Sequence, residues 1–193
     1  MTAEALPGAG DERVHRVRRY DPDRRQRLVD TALEVIAEHG VIGATHRAIA
    51  RAADVPLGST TYHFASIDEL LATVFTVHAE RVAQALEERM REAPDRQAAL
   101  DALARHLSAD LLGSDRTLVL AVELYVAAAR RPALRVVTQD WMERSRRALE
   151  LHFDPVTARE LDALVEGLVL HQFLSTDPMT PEQVRHALVR ITR

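Results

Sequence analysis

Apolar positions recur at spacings of three and four along nearly the whole chain, and no stretch alternates with period two for long enough to build a sheet. The pattern predicts an all-α protein of about nine helices. Punctuating residues set the boundaries. Asp21 is placed to cap a first helix with Pro22 in its first turn, and Leu28, Ala32, Val35 and Ile36 make its buried stripe up to a stop at Gly40. Thr45 caps a short second helix, HRAIARAA, which ends near Asp54, and Pro56 opens a third through LGSTTYHF. Ser66 caps a fourth, with Asp68 and Glu69 in its first turn where the helix dipole favours acids. Leu71, Val74, Phe75, His78, Val82 and Leu86 line one face of it down to Pro94.

The second half continues in the same period. A fifth helix carries Leu100, Leu103, Leu107 and Leu111 and ends at Gly113 and Ser114. The sixth, RTLVLAVELYVAAARR, is apolar around most of its circumference and should be central. The seventh runs from Pro132 to Phe153, with Asp140/Arg144 and Glu143/Arg147 as i, i+4 pairs on an exposed face. In the eighth, near Thr157 to Ser175, Leu161, Leu164, Val165 and Leu168 form one stripe and Ala163, Gly167, Leu170 and Leu174 a second. One stripe can face the chain's own core; the other needs a second partner. With a ninth helix carrying Val184, Leu188 and Ile191, this points to a helix-pair surface that closes a homodimer, the alternative being a further intrachain helix over the second stripe.

Charge changes this picture at one end. Net charge is −4 over 193 residues, yet between Arg13 and Arg27 seven arginines stand against two aspartates, whereas from Ser66 onward 16 arginines face 20 acids. A basic arm ahead of an acidic body is expected of a chain that touches a polyanion with one end, or of a solvated tail. Residues 1 to 20 are expected to be a disordered basic arm. The start of the sequence lacks the apolar segment of a secretory signal, and no run is apolar enough for a membrane span, so a cytoplasmic protein with no membrane partner is expected. The chain has no cysteine, which removes disulfides, thiolate metal sites and cysteine nucleophiles.

The stretch VPLGSTTYHFASIDELL, Val55 to Leu71, concentrates hydroxyls, a tyrosine and a histidine behind a glycine. Ser59 lacks the second glycine and preceding strand of a nucleophile elbow. A phosphate loop needs a lysine, and the chain has none; no dinucleotide glycine fingerprint occurs either. The sole Glu-x-x-His spacing, Glu12 to His15, lies in the tail rather than on the internal helices a di-iron site requires. No catalytic residue, metal or cofactor is therefore expected. Two short helices joined by a tight turn fit a helix-turn-helix, whose second helix enters the major groove by its N-terminal end. Physics alone leaves a polar helical hairpin open beside it.

The run from Leu28 to Leu71 resembles the DNA-binding module of the TetR family of one-component bacterial transcription regulators. The matching features are the helix ending in HG, T-x-R-x-IA at Thr45 to Ala50, Val55, Gly58-Ser59, and YHF followed by DELL. The nine-helix layout and RRPALR at Arg130 to Arg135 resemble the family more loosely. The resemblance implies a helix-turn-helix domain over residues 21–65, an effector-binding and dimerisation domain over 66–193, and a dimer set across successive major grooves of a palindromic double-stranded operator. Carried onto this chain, Thr45 and Arg47 should contact phosphate or base. Leu57, Ser59 and Thr60 should face base edges, Tyr62 and His63 should grip the backbone, and Phe64, Val55, Ile49 and Ala53 should be core. Asp54, Pro56, Thr61 and Ile67 depart from the residues usual at their positions, the last two by removing backbone contacts. Arg18, Arg19, Arg24 and their neighbours are expected to replace those contacts along the phosphates or in a minor groove. Deleting residues 1–19 should lower DNA affinity and flatten its salt dependence, measured as the slope of affinity against salt; an unchanged slope sinks the idea.

The resemblance also implies a small-molecule effector, of identity and charge unspecified, in a chamber among the middle helices, most simply that of a repressor released from its operator. Phe75, His78, Val82, Leu107, Leu111, Tyr125, Trp141 and His171 supply candidate walls, and Glu123 is an acid within an apolar run that could instead pair with an arginine. The fourth helix is the expected lever between chamber and reading head. A helical small-molecule binder or enzyme that no longer binds DNA is the alternative.

Overall fold

A computed structural model describes residues 22 to 193; the arm, including Arg18, Arg19 and Asp21, lies outside the described residues. The described chain forms α1 (Arg24–Gly43), α2 (His46–Ala52), α3 (Leu57–His63), α4 (Ile67–Glu92), α5 (Arg96–Arg105), α6 (Asp115–Arg130), α7 (Pro132–Leu149), α8 (Pro155–Leu174) and α9 (Pro181–Ile191). α5 runs on into a π-helical turn, His106–Leu111.

Local chemistry explains the ends. Thr45 accepts from Ala48 N at 3.1 Å, and Ser66 accepts from Glu69 N at 3.1 Å while Glu69 returns a carboxylate to Ala65 N at 2.8 Å. Both supply acceptors to first-turn amides that have none within the helix. Thr180 and Gln183 form a full capping box on α9. Three boundaries differ from expectation. α7 ends at Leu149, four residues before Phe153. α1 starts at Arg24, with Asp23 in the cap position and making no side-chain cap bond. Nor does Gly40 stop it: the residue takes φ 67° and ψ 176°, bends the chain, and one more turn follows. Asp54, in the turn between α2 and α3, sits at φ 50°, a left-handed conformation that glycine takes most readily and aspartate only occasionally.

α1, α2 and α3 make a compact head, and α4 carries the chain from it into the body. α4 packs along α7, α6 lies against both α1 and α7, and α8 and α9 close the far side on α7 and α5. One apolar cluster runs through both parts, from Leu28, Ile49 and Phe64 in the head to Leu124, Leu161 and Leu188 in the body. On α7, Glu143 and Arg147 pair at 2.7 Å as their spacing predicts, but Arg144 reaches across to Glu87 of α4 at 2.7 Å instead of joining Asp140.

Candidate nucleic-acid interface and effector chamber

The reading head presents α3 with no side-chain cap at its N-terminus, because Pro56 has neither hydroxyl nor amide to offer. Its outward face is Leu57, Gly58, Thr61 and Tyr62, all exposed, with Tyr62 at 85%. A Cβ at Gly58 would meet nothing within 4 Å among the described residues, so the backbone there can approach another surface closely. Tyr62 and His63 sit edge to face with ring centroids 5.1 Å apart. Thr45 and Arg47 are exposed at the start of α2, and Ser59 and His63 are half-buried.

Thr60 is a correction. It is fully buried and donates to Leu57 O at 2.8 Å, so it cannot face a base edge. The reason is helical spacing: Thr60 lies four residues before Phe64, which is 0% exposed, and the two share the inner face. Thr61 takes the outward place, which the same spacing could have shown. Arg24 begins α1 half-buried, and the guanidinium of Arg25 stands 5.0 Å from the centre of the Phe64 ring, so part of the basic segment packs on the head itself.

In the body, a cavity of about 30 Å³ lies between α4, α5, α7 and α8. Val82, Leu111 and Trp141 of the expected walls reach it, whereas Phe75 is sealed in the core and Leu107 faces a separate groove beside α9. Neither His78 nor Tyr125 lines it, though both pack against Trp141, and two further expectations fail. His171 is exposed near the end of α8, and Glu123 turns away from the chamber to accept from Val41 N at 2.7 Å, since residues on α6 that face α1 cannot also face α8. The polar groups that line the cavity are His106, Ser145, Asp162 and Glu166, none of them anticipated. Their signal was present: Asp162 and Glu166 stand at i, i+4 inside the most apolar stretch of α8.

These groups form a connected set. Tyr125 donates to Glu166 Oε1 at 2.6 Å, and its ring lies parallel to that of Trp141 with centroids 6.0 Å apart. Arg146 holds Asp162 at 3.0 Å. Burial pushes both carboxyls above their ordinary pKa, against the opposing pull of Arg146 on Asp162 and of Tyr125 on Glu166. On the π-helical turn, His106 Nδ1 meets Asp110 Oδ2 at 2.8 Å, and Arg89 grips the same carboxylate with two bonds of 2.6 and 3.0 Å. The Arg89 hydrogen bonds hold the Asp110 pKa down, while burial lowers that of His106. Trp141 separates this cavity from an outer groove of about 710 Å³ between α4 and α7, walled by Glu80, Glu87, Asp140 and Arg91.

His78 packs edge-on against Trp141 with centroids 6.0 Å apart, and its buried Nε2 has no hydrogen-bond partner among the described residues. Burial, helped by Arg81 and Arg116, drives its pKa from 6.5 down to about 4. The unfolded chain therefore takes up this proton first, and stability falls as pH drops through the window from 6.5 to about 4, by roughly 3 kcal/mol in all. Melting at pH 7.5 and pH 5 checks this: His78→Leu should narrow the difference in Tm, and an undiminished difference assigns the acid sensitivity to other groups.

On α8, Ala163 and Leu174 are exposed, Leu174 at 72%, and Gly167 and Leu170 half-exposed. Phe173 extends the same open face. Val184 and Leu188, expected at a partner surface, are instead 4% and 0% exposed inside this chain, where α9 packs on α5 and α8. Ile191 is half-buried against the same core. No helix among the described residues is long and apolar enough to cross a membrane.

Comparison with known proteins agrees with this architecture. Residues 28–74 match the family model described as bacterial regulatory proteins, tetR family, and residues 94–193 match that of the tetracyclin repressor-like C-terminal domain. The crystal structure of SCO7518 from Streptomyces coelicolor A3(2) is 46% identical, with 89% of this chain and 99% of that one covered and a TM-score of 0.84. The multidrug binding protein EbrR, complexed with imidazole, is 39% identical with 90% and 97% covered and a TM-score of 0.80. The HTH-type transcriptional regulator PksA of Bacillus subtilis (strain 168) is 23% identical over 183 residues, 86% of this chain and 87% of its own. With a helix-turn-helix head, a helical body and two matching family models, the chain belongs to the TetR family of DNA-binding transcriptional regulators and is not an enzyme.

Proposed function

We propose that the protein is a homodimeric, cytoplasmic repressor that leaves a palindromic operator when a lipophilic aromatic cation enters the chamber. Residues 21–65 read DNA and residues 66–193 bind the effector and dimerise. Thr45, Arg47, Ser59, Tyr62 and His63 contact the duplex, with Leu57 and Thr61 toward the base edges and the arginine arm on the phosphates. Ala163, Gly167, Leu170 and Leu174 meet their copies across the two-fold axis.

The observation that carries the effector class is the pair of half-buried carboxyls, Asp162 and Glu166, facing a cavity beside the parallel rings of Tyr125 and Trp141. Arg146 already answers Asp162, but Glu166 meets the Tyr125 hydroxyl rather than a charge, so a planar cation can pair with it and use the ring faces as well. EbrR structures hold ethidium, malachite green and proflavin, dyes of this chemistry. At about 30 Å³ the cavity is far smaller than the roughly 300 Å³ a drug-sized ligand needs, so binding must spread the helices around it. That expansion gives a ligand its preference for one form over the other.

Trp141 is the chain's single tryptophan and lines the cavity, so its fluorescence reports entry. Malachite green should quench it and release a palindrome selected from random duplexes, and Glu166→Gln should weaken dye binding at least tenfold, which is about 1.4 kcal/mol. Equal dye affinity in the variant would remove Glu166 from the site. Failure to select any palindrome would remove the operator.

A further inference from the structure

Gly40 interrupts α1, and the turn that restarts at Val41 has an amide without an acceptor in its own helix. The acceptor comes from 82 residues away: Val41 N donates to Glu123 Oε2 at 2.7 Å. A Cβ at Gly40 would lie 3.1 Å from Glu123 Oε1 and 3.3 Å from Oε2. Glycine here therefore serves both the positive φ and the close seat of the carboxylate. The restarted turn leads straight into the next helix, with Ala44 N bonded to Val41 O at 3.2 Å, Thr45 N to Gly43 O at 3.0 Å, and Thr45 capping α2. The corner that orients α2, and α3 after it, is thus referred to a carboxylate on α6.

The same helix reaches an acid of the chamber. Tyr125 follows Glu123 by two residues, about 200° around α6, and holds Glu166 at 2.6 Å. One side of α6 faces the cavity's acid and the other the head's backbone. The ion pairs Arg81–Asp30 and Arg116–Glu34 also cross between body and head, at 3.2 and 3.9 Å, but their side chains are 47% to 61% exposed and such pairs are weak.

We infer that Glu123 is a positioning residue for operator reading: its carboxylate fixes the α1–α2 corner on α6 and passes the state of the chamber to the recognition helix. The second half of this statement rests on the effector reading above.

Amide exchange in the full-length protein tests the first half without DNA or effector. In Glu123→Ala, exchange at Val41 should quicken at least tenfold, with α4 and α8 unchanged, and Glu123→Gln, which keeps one acceptor oxygen, should fall between. Unchanged exchange at Val41 in both variants overturns the assignment. For the second half, Glu123→Ala should bind malachite green as the wild type does, by quenching of Trp141, while the factor by which the dye weakens operator binding shrinks at least tenfold. Faster exchange with full dye response overturns the relay and leaves Glu123 as a local cap. If the wild-type protein ignores the dye, the effector reading falls and the relay with it, while the exchange result still decides whether Glu123 sets the corner.

Discussion

Gly167→Glu yields a folded chain that sediments as a monomer and loses its grip on the operator. A Cβ built at Gly167 meets nothing within 4 Å among the described residues, so the helix face there is open. Replacing glycine within a helix interior should itself favour α8 by several tenths of a kcal/mol. Across a two-fold axis the same change places two carboxylates face to face in what would be an apolar seam with Ala163, Leu170 and Leu174. An uncompensated charge at such a seam costs several kcal/mol, and a monomer holds one half-site where the dimer holds two. Operator affinity should fall by two to three orders of magnitude, at about 1.4 kcal/mol for each. Sedimentation velocity and operator titration, with a thermal melt as the folding control, read the three quantities separately. A dimer of undiminished affinity would show that α8 meets its partner by another face, or not at all.

The second large effect concerns stability. Phe64→Ala should cost about 3 to 5 kcal/mol, the range for truncating a large buried aromatic, with up to about 1 kcal/mol more from the lost contact with Arg25. Phe64 is the C-cap of α3, 0% exposed, and three residues before the start of α4. Its ring therefore fastens the recognition helix to both neighbours. Set against a typical total of 5 to 15 kcal/mol, the loss should lower Tm by roughly 10 °C at fixed protein concentration. A change below about 1 kcal/mol would contradict its place in the core.

Helix periodicity and caps made the architecture legible in the sequence: Thr45, Ser66 and the stripe from Leu71 to Leu86 could be read from spacing alone. What escaped depended on which of two faces an element turns inward. Thr60 and Thr61 are adjacent and chemically identical, and the inner face of α3 is chosen by Phe64 beyond the helix end. Val184 and Leu188 form a fair apolar stripe, but a stripe does not say whether its partner belongs to the same chain; α5 does. Glu123 was visible as an anomaly within an apolar run, yet its acceptor role needed the bend at Gly40, a backbone event that no local pattern specifies. Asp162 and Glu166 are legible in principle, but the leucines and valines around them complete a helical stripe without needing either acid.

On the proposed effector reading, the near-absence of space in the chamber would also set the protein's sensitivity. If an expanded form is only rarely populated, the apparent affinity for any effector is its intrinsic affinity divided down by that rarity, about a hundredfold for a form present one time in a hundred. A shut cavity of about 30 Å³ would then act as a threshold on dose, with traces of a compound leaving the regulator unmoved. Trimming the wall at Leu86 or Leu103 would lower that threshold without touching a single polar contact.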